Sequence, residues 1–360
     1  MDSLTQAVLG AGIQGAMLGR YDGRKALLAG ALLATLPDLD VLIDYGDPVS
    51  AMIHHRGFSH SVFVLTAVAA MLATVWHRWR PSTHYGGVRL FITLWLVLVT
   101  HPLLDAFTSY GTQLWWPLAV TPTSWSSIFI IDPFFTVPLL IAVMAAAVAG
   151  PGPRMHRALC WCLAWAAAYL ALSLVAKSVI EARVHRQLVA AGQRPIAMFS
   201  TPEPFNILLW RVVARTPDDH YIEAISSVLD RGDAEHIKLP LNTELADTLG
   251  DMPLLQGLRW FTDDWLRYDR VGNQLIVSDL RMGLGTGYYS FRFVMAKRQP
   301  AQDGWRAVPP AYWPRDQGIP QLAATLKRVW QAEPPLPLAQ WETRMTAMPG
   351  SCPGPDQACN

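Results

Sequence analysis

The amino-acid sequence predicts an α-helical membrane bundle of about four to six apolar helices, followed by a soluble α+β domain. Of the 360 residues, 51% are hydrophobic and only 16% are charged. Soluble proteins have a charged share of about 25%. The long apolar blocks all lie before about residue 180, and after about residue 200 strand-like runs alternate with Gly, Pro and Asp. We therefore expect a membrane domain over residues 1–180 and a soluble α+β domain over residues 181–360.

Apolar blocks fill the first half of the chain, and each ends at a polar residue or at Gly or Pro. They are Leu4–Leu18, Ala26–Leu36, Ser61–Trp76, Leu90–Leu104, Pro133–Gly150 and Ala158–Ala176. Because a spanning helix needs about 17 to 25 apolar residues, the later four qualify as membrane spans and the first two are short. We expect the first two to form a hairpin within the bundle.

The positions of Lys and Arg predict the orientation in the membrane, because cytoplasmic loops retain positive charge. Three turns carry these cations: Arg20, Arg24 and Lys25; then Arg78, Arg80 and Arg89; then Arg154 and Arg157. Between Leu90 and Pro153 there is no Lys or Arg. The loop that follows residue 105 is therefore expected on the outer, periplasmic face. Four cations that follow the sixth block oppose this assignment: Lys177, Arg183, Arg186 and Arg194.

The second half of the chain has the pattern of a soluble domain, expected on the periplasmic side. The expected strands are Ile207–Val213, Leu275–Ser278 and Tyr288–Ala296, and the expected helix is near Leu322–Gln331. A G-x-G-x-G run, at Gly283, Gly285 and Gly287, lies between strand-like segments and does not open a helix. It therefore favours a hairpin turn over a phosphate-binding loop.

Three short segments place six residues of metal-ligand type at the ends of apolar blocks. The segments are LPDLD (36–40), HRGFSH (55–60) and HPLLD (101–105), and the candidate ligands are Asp38, Asp40, His55, His60, His101 and Asp105. Carboxylate and imidazole bind zinc and similar divalent ions, and they are costly inside a bilayer unless paired or coordinated. By the alternation of the spans, all three segments are expected on the outer face. The sequence therefore predicts one shared metal site.

Each segment also has a reading without metal. His101 and Asp105 are four residues apart, which places them on one helix face, but such a pair is also an ordinary i,i+4 hydrogen bond. Pro37 ends the preceding helix, and the backbone after it allows Asp38 and Asp40 to point to one centre; the alternative is a solvated turn. His55 and His60 flank a glycine, and a lone histidine in a loop usually has no functional role.

Two further residues bear on catalysis. Arg56 offers a planar fork that suits a phosphate or a carboxylate. Asp132 precedes Pro133, a pattern that favours a helix N-cap over metal ligation.

The sequence has no P-loop, no G-x-S-x-G elbow and no H-E-x-x-H, so P-loop nucleotide hydrolysis and serine-type acyl transfer lack their signatures. The net charge of +1 provides no basic field for nucleic acid, and the oligomeric state is not predicted.

Several segments together resemble the YdjM-like family of bacterial inner-membrane, metal-dependent hydrolases. They are MDSLTQAVLG at the start, then LPDLDVL, HRGFSHS, HPLLDAFTSYGTQLWWP and IFIIDP, over roughly the first 150 residues. The family is similar to zinc-dependent phospholipase C, and the resemblance implies ligand roles for the six candidate residues. This chain departs from many relatives, which begin with Thr-His, because Gln6 follows Thr5. One potential ligand is then absent, and Asp2 is a candidate replacement.

These observations predict a multi-pass inner-membrane enzyme in which zinc activates water for attack on a phosphoester, with phospholipid as the natural substrate. Asp40, or its neighbour Asp38, is expected to orient the nucleophile, and Arg56 is expected to bind the phosphate. Three tryptophans of the following outer loop fit an interfacial belt: Trp115, Trp116 and Trp125. The alternative is a non-catalytic membrane protein with a structural or transport metal site, because a site with every position filled by protein does not catalyse.

Overall fold

Helices form the first half of the chain, and strands form most of the second. The computed structural model describes residues 1–150, 152–284, 288–298, 304–314, 319–345 and 347. The helices of this part are α1 (Ser3–Asp22), α2 (Arg24–Ala34), α3 (Pro48–His54), α4 (Val62–Trp79), α5 (Gly87–Ala106), α6 (Pro133–Ala149), α7 (Pro153–Ala190), α8 (Glu244–Asp247), α9 (Pro253–Thr262), α10 (Ile319–Arg328) and α11 (Leu338–Met345). Two short 3₁₀ helices, Pro37–Leu42 and Phe58–His60, connect the helices of the first half.

Membrane-spanning candidates are present among the helices of the first half. Within the described residues, α4, α5 and α7 are long and apolar enough to cross a membrane. Helix α6 is apolar but has only 17 residues. Apolar membrane helices followed by a β-sheet region are thus confirmed, whereas the expected count of four to six spans is not. The chain forms two compact units: residues 1–44 with 54–174, and residues 45–53 with the described residues from 175 onward.

The first two helices form the expected hairpin, held by close contact between glycines. A Cβ atom added at Gly10 would lie 2.5 Å from the carbonyl oxygen of Gly30, and one added at Gly30 would lie 2.4 Å from the carbonyl oxygen of Gly10. Only hydrogen fits at these positions, so the two backbones can touch. Gly23, with φ +65°, makes the turn between the helices. Helix α1 is 20 residues long, longer than the apolar block that predicted it.

The basic residues of the three turns lie together at one end of the helical unit. Arg24 Nη2 donates to the carbonyl oxygen of Val148 at 2.6 Å, which joins the α1–α2 turn to the end of α6. Arg89 Nη1, at the start of α5, donates to the hydroxyl of Tyr21 at 3.0 Å. Since α5 runs from this end toward His101 and Asp105, the candidate ligands lie at the opposite end.

Asp132 is a helix N-cap, as expected. Its Oδ1 atom accepts hydrogen bonds from the backbone N–H groups of Phe134 and Phe135, at 3.0 and 3.3 Å. Its Oδ2 atom accepts from the Tyr169 hydroxyl at 2.9 Å. Both carboxylate oxygens therefore have protein donors, and this aspartate starts α6.

The second unit contains two antiparallel four-stranded sheets, with strand orders β1-β2-β3-β4 and β10-β9-β6-β5. The strands are β1 (Ala197–Pro202), β2 (Leu209–Thr216), β3 (His220–Ser227), β4 (Glu235–Pro240), β5 (Leu266–Val271), β6 (Gln274–Asp279), β7 (Gly283–Leu284), β8 (Tyr288–Tyr289), β9 (Arg292–Arg298) and β10 (Trp305–Tyr312). The expected strand Tyr288–Ala296 is divided between β8 and β9, and the expected helix is α10, which ends at Arg328. Strands β7 and β8 pair antiparallel; Gly285 and Gly287 lie outside the described residues.

Candidate metal centre

Four of the six candidate ligands lie together at one end of the helical unit. Asp38, His60, His101 and Asp105 each offer one donor atom, and these atoms all lie within 4.8 Å of one another. Asp38 comes from the first 3₁₀ helix, His60 from the second, and the other two from the last turns of α5. Three segments that are distant in sequence therefore meet at one point.

The donor atoms alternate between imidazole nitrogen and carboxylate oxygen at nearly equal distances. His60 Nε2 lies 3.4 Å from Asp38 Oδ1 and 3.3 Å from Asp105 Oδ2. His101 Nε2 lies 3.3 Å from Asp38 Oδ1 and 3.4 Å from Asp105 Oδ2. Ligand atoms bound tetrahedrally to zinc at about 2.0–2.1 Å lie about 3.3–3.4 Å apart. The four imidazole–carboxylate separations match that spacing, whereas the cluster as a whole spans up to 4.8 Å, which is wider than the edge of a regular tetrahedron.

The hydrogen bonding inside the cluster is incomplete, which supports a cation there. His60 Nε2 and Asp105 Oδ2 are buried and have no hydrogen-bond partner. Such orphaned polar atoms are rare in a folded protein, and each one costs about 1–3 kcal/mol. The buried carboxylate of Asp105 and the partly exposed carboxylate of Asp38 face two imidazoles, and together they supply a donor set that zinc accepts. The residues present therefore fit a divalent metal ion.

Neighbouring backbone and side chains orient both imidazoles. His101 Nδ1 lies 2.6 Å from the carbonyl oxygen of Ala34, at the end of α2, so Nδ1 carries the proton and Nε2 is left with a lone pair. His60 Nδ1 lies 2.9 Å from Ser59 Oγ, which donates to Asp40 Oδ2 at 2.7 Å. With Nδ1 as the donor in each case, Nε2 is the nitrogen that faces the cluster and can offer a lone pair to a metal ion.

Asp40 and His55 lie beside the cluster, outside the four grouped residues. Asp40 Oδ1 accepts from His55 Nδ1 at 3.0 Å, and Asp40 Oδ2 accepts from the backbone N–H of Arg56 at 3.0 Å and from Ser59. Burial acts to raise the pKa of Asp40, but the hydrogen bonds from His55 and Ser59 outweigh it and hold the pKa below its usual value. Asp40 thus supports the residues around the cluster, and a direct ligand role for Asp40 or His55 stays a prediction.

The geometry of the first 3₁₀ helix separates the two aspartates. With about three residues per turn, positions two apart point in different directions, whereas positions three apart align. Pro37 and Asp40 are accordingly the buried residues of this helix, and Asp38 lies on another edge with 22% of its side chain exposed. Burial acts to raise the pKa of Asp38, and the neighbouring imidazoles of His101 and His60 outweigh this and hold the pKa well below its usual value.

Arg56 is buried against the cluster, so its guanidinium is not open to solvent. Its Nε lies 3.4 Å from Asp105 Oδ2, its Nη1 donates to Thr108 Oγ1 at 3.3 Å, and its guanidinium lies 4.9 Å from the Tyr110 ring centroid. Its backbone has φ +63°, an uncommon value for a residue other than glycine. The positive charge is therefore held beside Asp105, and the expected contact of Arg56 with a phosphate stays a prediction.

Gln6 takes part in the site. From the sequence it was noted only because it stands where many relatives have a histidine. Its Nε2 donates to Asp105 Oδ1 at 3.1 Å and to the carbonyl oxygen of His101 at 3.2 Å. The amino nitrogen of Met1 contacts the same Asp105 oxygen. These bonds occupy Oδ1 and leave Oδ2 facing the imidazoles. An amide side chain within the apolar block that begins at Leu4 was the available signal. Asp2 caps α1 by accepting from the backbone N–H of Thr5 at 3.0 Å.

Comparison with known proteins supports the assignment of the first half. A family model described as YdjM inner membrane protein matches residues 1–180. Inner membrane protein YbcI of Escherichia coli (strain K12) is 34% identical over 93 residues, which are 26% of this chain and 52% of YbcI. The uncharacterized protein YfhP of Bacillus subtilis (strain 168) is 24% identical over 233 residues, which are 62% of this chain and 67% of YfhP.

The chain thus spans about half the length of YbcI and about two thirds of YfhP. No solved structure matches this chain. The similarity to zinc-dependent phospholipase C stays a prediction.

Proposed function

Because the chain belongs to the YdjM inner membrane protein family, we propose that it is a membrane-bound, metal-dependent hydrolase. The observation that carries the proposal is the convergence of Asp38, His60, His101 and Asp105, with orphaned donor atoms facing one another. Zinc is the proposed metal, since two imidazoles and two carboxylates form a donor set that it accepts. The proposed substrate is a phosphoester, such as that of a phospholipid.

The residues around the four ligands have separate roles in this proposal. A divalent ion bound here supplies Lewis acidity, which lowers the pKa of water and neutralises the charge of a phosphoryl group. Arg56 and Gln6 hold Asp105 from opposite oxygens. Asp40 fixes the ring of His55 through Nδ1, which leaves Nε2 as the nitrogen available for proton transfer. His55 suits this role because 29% of its side chain is exposed.

The proposed orientation places the metal centre on the periplasmic side. The cations of the α1–α2, α4–α5 and α6–α7 turns lie at the end of the helical unit opposite the cluster, and the positive-inside rule assigns that end to the cytoplasm. The metal centre then meets the outer leaflet. We extend the periplasmic assignment to the soluble domain as well. Fluorescent reporter tags, inserted in loops at either end of the helical unit and in the soluble domain, would test the location of the metal centre and of that domain.

A structural or transport metal site is the second candidate, and one observation favours it. Four protein ligands fill a tetrahedral zinc shell, whereas a catalytic zinc usually keeps one position open. Two features support the hydrolase instead. Asp38 is partly exposed, so the cluster borders solvent. The hydrogen-bonded pair of Asp40 and His55 and the buried Arg56 add proton-transfer and charged groups that a structural site does not need.

Elemental analysis of the purified protein, joined to hydrolysis assays on phospholipid and on a soluble phosphodiester, tests the proposal. We expect stoichiometric zinc and turnover of a phosphoester. Both should be lost in His60→Ala and in the isosteric Asp38→Asn, and both should be retained in His77→Ala, which changes an exposed histidine of α4. Stoichiometric metal without turnover would favour the second candidate. Absence of metal from well-folded protein would contradict both.

A further inference from the structure

The 3₁₀ helix that carries Asp38 presents an exposed apolar surface beside it. Residues three apart share one edge of a 3₁₀ helix. Leu39 and Leu42 therefore share one edge, and Asp38 and Val41 share the neighbouring edge. The side chains of Val41 and Leu42 are 71% and 80% exposed. A turn whose only task was to hold a ligand at an aqueous surface would carry polar residues at these positions.

A second group of exposed apolar side chains lies beside His60. Phe58 packs edge-on against Trp116 at 6.3 Å between ring centroids, and Phe63 packs against Trp115 at 6.2 Å. Ser61 Oγ donates to the carbonyl oxygen of Trp116 at 2.6 Å, which fixes the tryptophan loop to the start of α4. The exposed aromatic residues are therefore held in place beside the cluster.

The two groups together form what we name the apolar rim: Leu39, Val41, Leu42, Phe58, Trp115 and Trp116. All six side chains are exposed, and none of them is charged. The rim continues into α4, a membrane-span candidate whose surface is mostly exposed in the isolated chain. Exposed apolar surface of this kind on a membrane protein is the surface that faces lipid.

We propose that the apolar rim contacts phospholipid acyl chains at the membrane surface and so presents the lipid phosphate to the metal centre. The inference rests on the proposed function and names its substrate as a lipid taken from the bilayer. Asp38 provides the polar end of the contact, because this partly exposed ligand is flanked by Leu39 and Val41. The rim binds the apolar part of the substrate, and the cluster faces its headgroup.

Lipid fits the rim better than a second copy of the chain does, for two reasons. The rim is continuous with the exposed surface of α4, so one bilayer covers both. The tryptophans belong to the residue type that concentrates at the headgroup level of a membrane, where an apolar ring meets a polar boundary.

Fluorescence quenching in vesicles tests the position of the rim without any need for activity. The four cysteines (Cys160, Cys162, Cys352 and Cys359) are replaced by Ser, and a fluorophore is attached to Leu42→Cys or, as a control, to Thr83→Cys in the α4–α5 loop. We expect lipids with brominated acyl chains to quench the probe at position 42 and aqueous iodide to quench the probe at position 83. Quenching at position 42 by iodide alone would overturn the proposal.

Turnover measurements test whether the rim serves the substrate. The ratio of phospholipid to soluble phosphodiester hydrolysis is compared in Val41→Ser and in the matched control Val88→Ser, at a residue of α5 that is 74% exposed near the other end of the bundle. We expect the ratio to fall about tenfold in Val41→Ser, because apolar contact with the acyl chains is lost, and to stay unchanged in Val88→Ser.

The outcomes separate the two proposals. Turnover of the soluble ester with an unaltered ratio in Val41→Ser contradicts the role of the rim and leaves the hydrolase standing. No turnover of either ester by metal-loaded protein contradicts the proposed function and, with it, the lipid substrate.

Discussion

Substitution of Asp40 by Ala tests whether this carboxylate supports the metal centre or binds the ion. Removal of the carboxylate leaves three donors without an acceptor: His55 Nδ1, the backbone N–H of Arg56 and Ser59 Oγ. Ser59 also contacts His60 Nδ1, so the imidazole loses the chain of hydrogen bonds that orients it. Loss of such an outer partner lowers metal affinity about 10–100-fold, which corresponds to about 1.4–2.7 kcal/mol.

Zinc affinity is measured by competition with a chromophoric chelator, at constant pH, for Asp40→Ala, Asp40→Asn and Asp38→Asn. Asp40→Asn should be milder than Asp40→Ala, because the amide oxygen still accepts on one side. Asp38→Asn should abolish stoichiometric binding, and Asp44→Asn, in the loop that follows the 3₁₀ helix, is the control. Complete loss of zinc in well-folded Asp40→Ala would show that Asp40 is a ligand, and unchanged affinity would refute the orienting role.

Three other substitutions probe the surroundings of the site and the two units. Gln6→Leu should weaken zinc binding about tenfold in the same competition assay, because Asp105 Oδ1 loses the amide donor; an unaltered affinity would show that Gln6 only packs. Gly10→Ala should destabilise the chain by about 1–3 kcal/mol in thermal unfolding in detergent, since the added methyl overlaps the backbone of Gly30; an unchanged melting temperature would refute that contact. Glu223→Ala should destabilise the second unit by about 3–5 kcal/mol in denaturant unfolding, because the fully buried arginine of β2 loses the carboxylate that it contacts at 3.0 Å; Glu244→Ala, at an exposed position, is the control that should unfold as the unmodified chain does.

Some features of the metal site and of the helices around it could be predicted from the sequence. The i,i+4 spacing of His101 and Asp105 predicted one helix face, and the structure has both donor atoms within 3.4 Å of each other. The helix N-cap at Asp132 followed from the Asp-Pro pair. Both features are local, since they depend on the geometry of one helix turn.

Features that depend on the directions of separate side chains were not predictable in this way. The sequence treats Asp38 and Asp40 alike, and only the 3₁₀ geometry of Pro37–Leu42 turns them to different edges. The guanidinium of Arg56 has the geometry that can bind a phosphate, but whether it is exposed depends on the fold, and here it is buried against Asp105 and Tyr110. The count of membrane spans beyond three stays a prediction, because α6, with 17 residues, lies at the lower limit of spanning length.

The sequence by itself determined the division into an apolar helical first half and a strand-containing second half, and the residue types that can hold a metal, because periodicity and composition are properties of the local chain. The tertiary structure alone decided which ligands meet. Asp38, His60 and His101 come from different segments, and their donor atoms approach within a few ångströms only because helix packing fixes the distances between those segments. It likewise decided that Gln6 and Asp40 support the centre, since a hydrogen bond between distant residues exists only once the chain has folded.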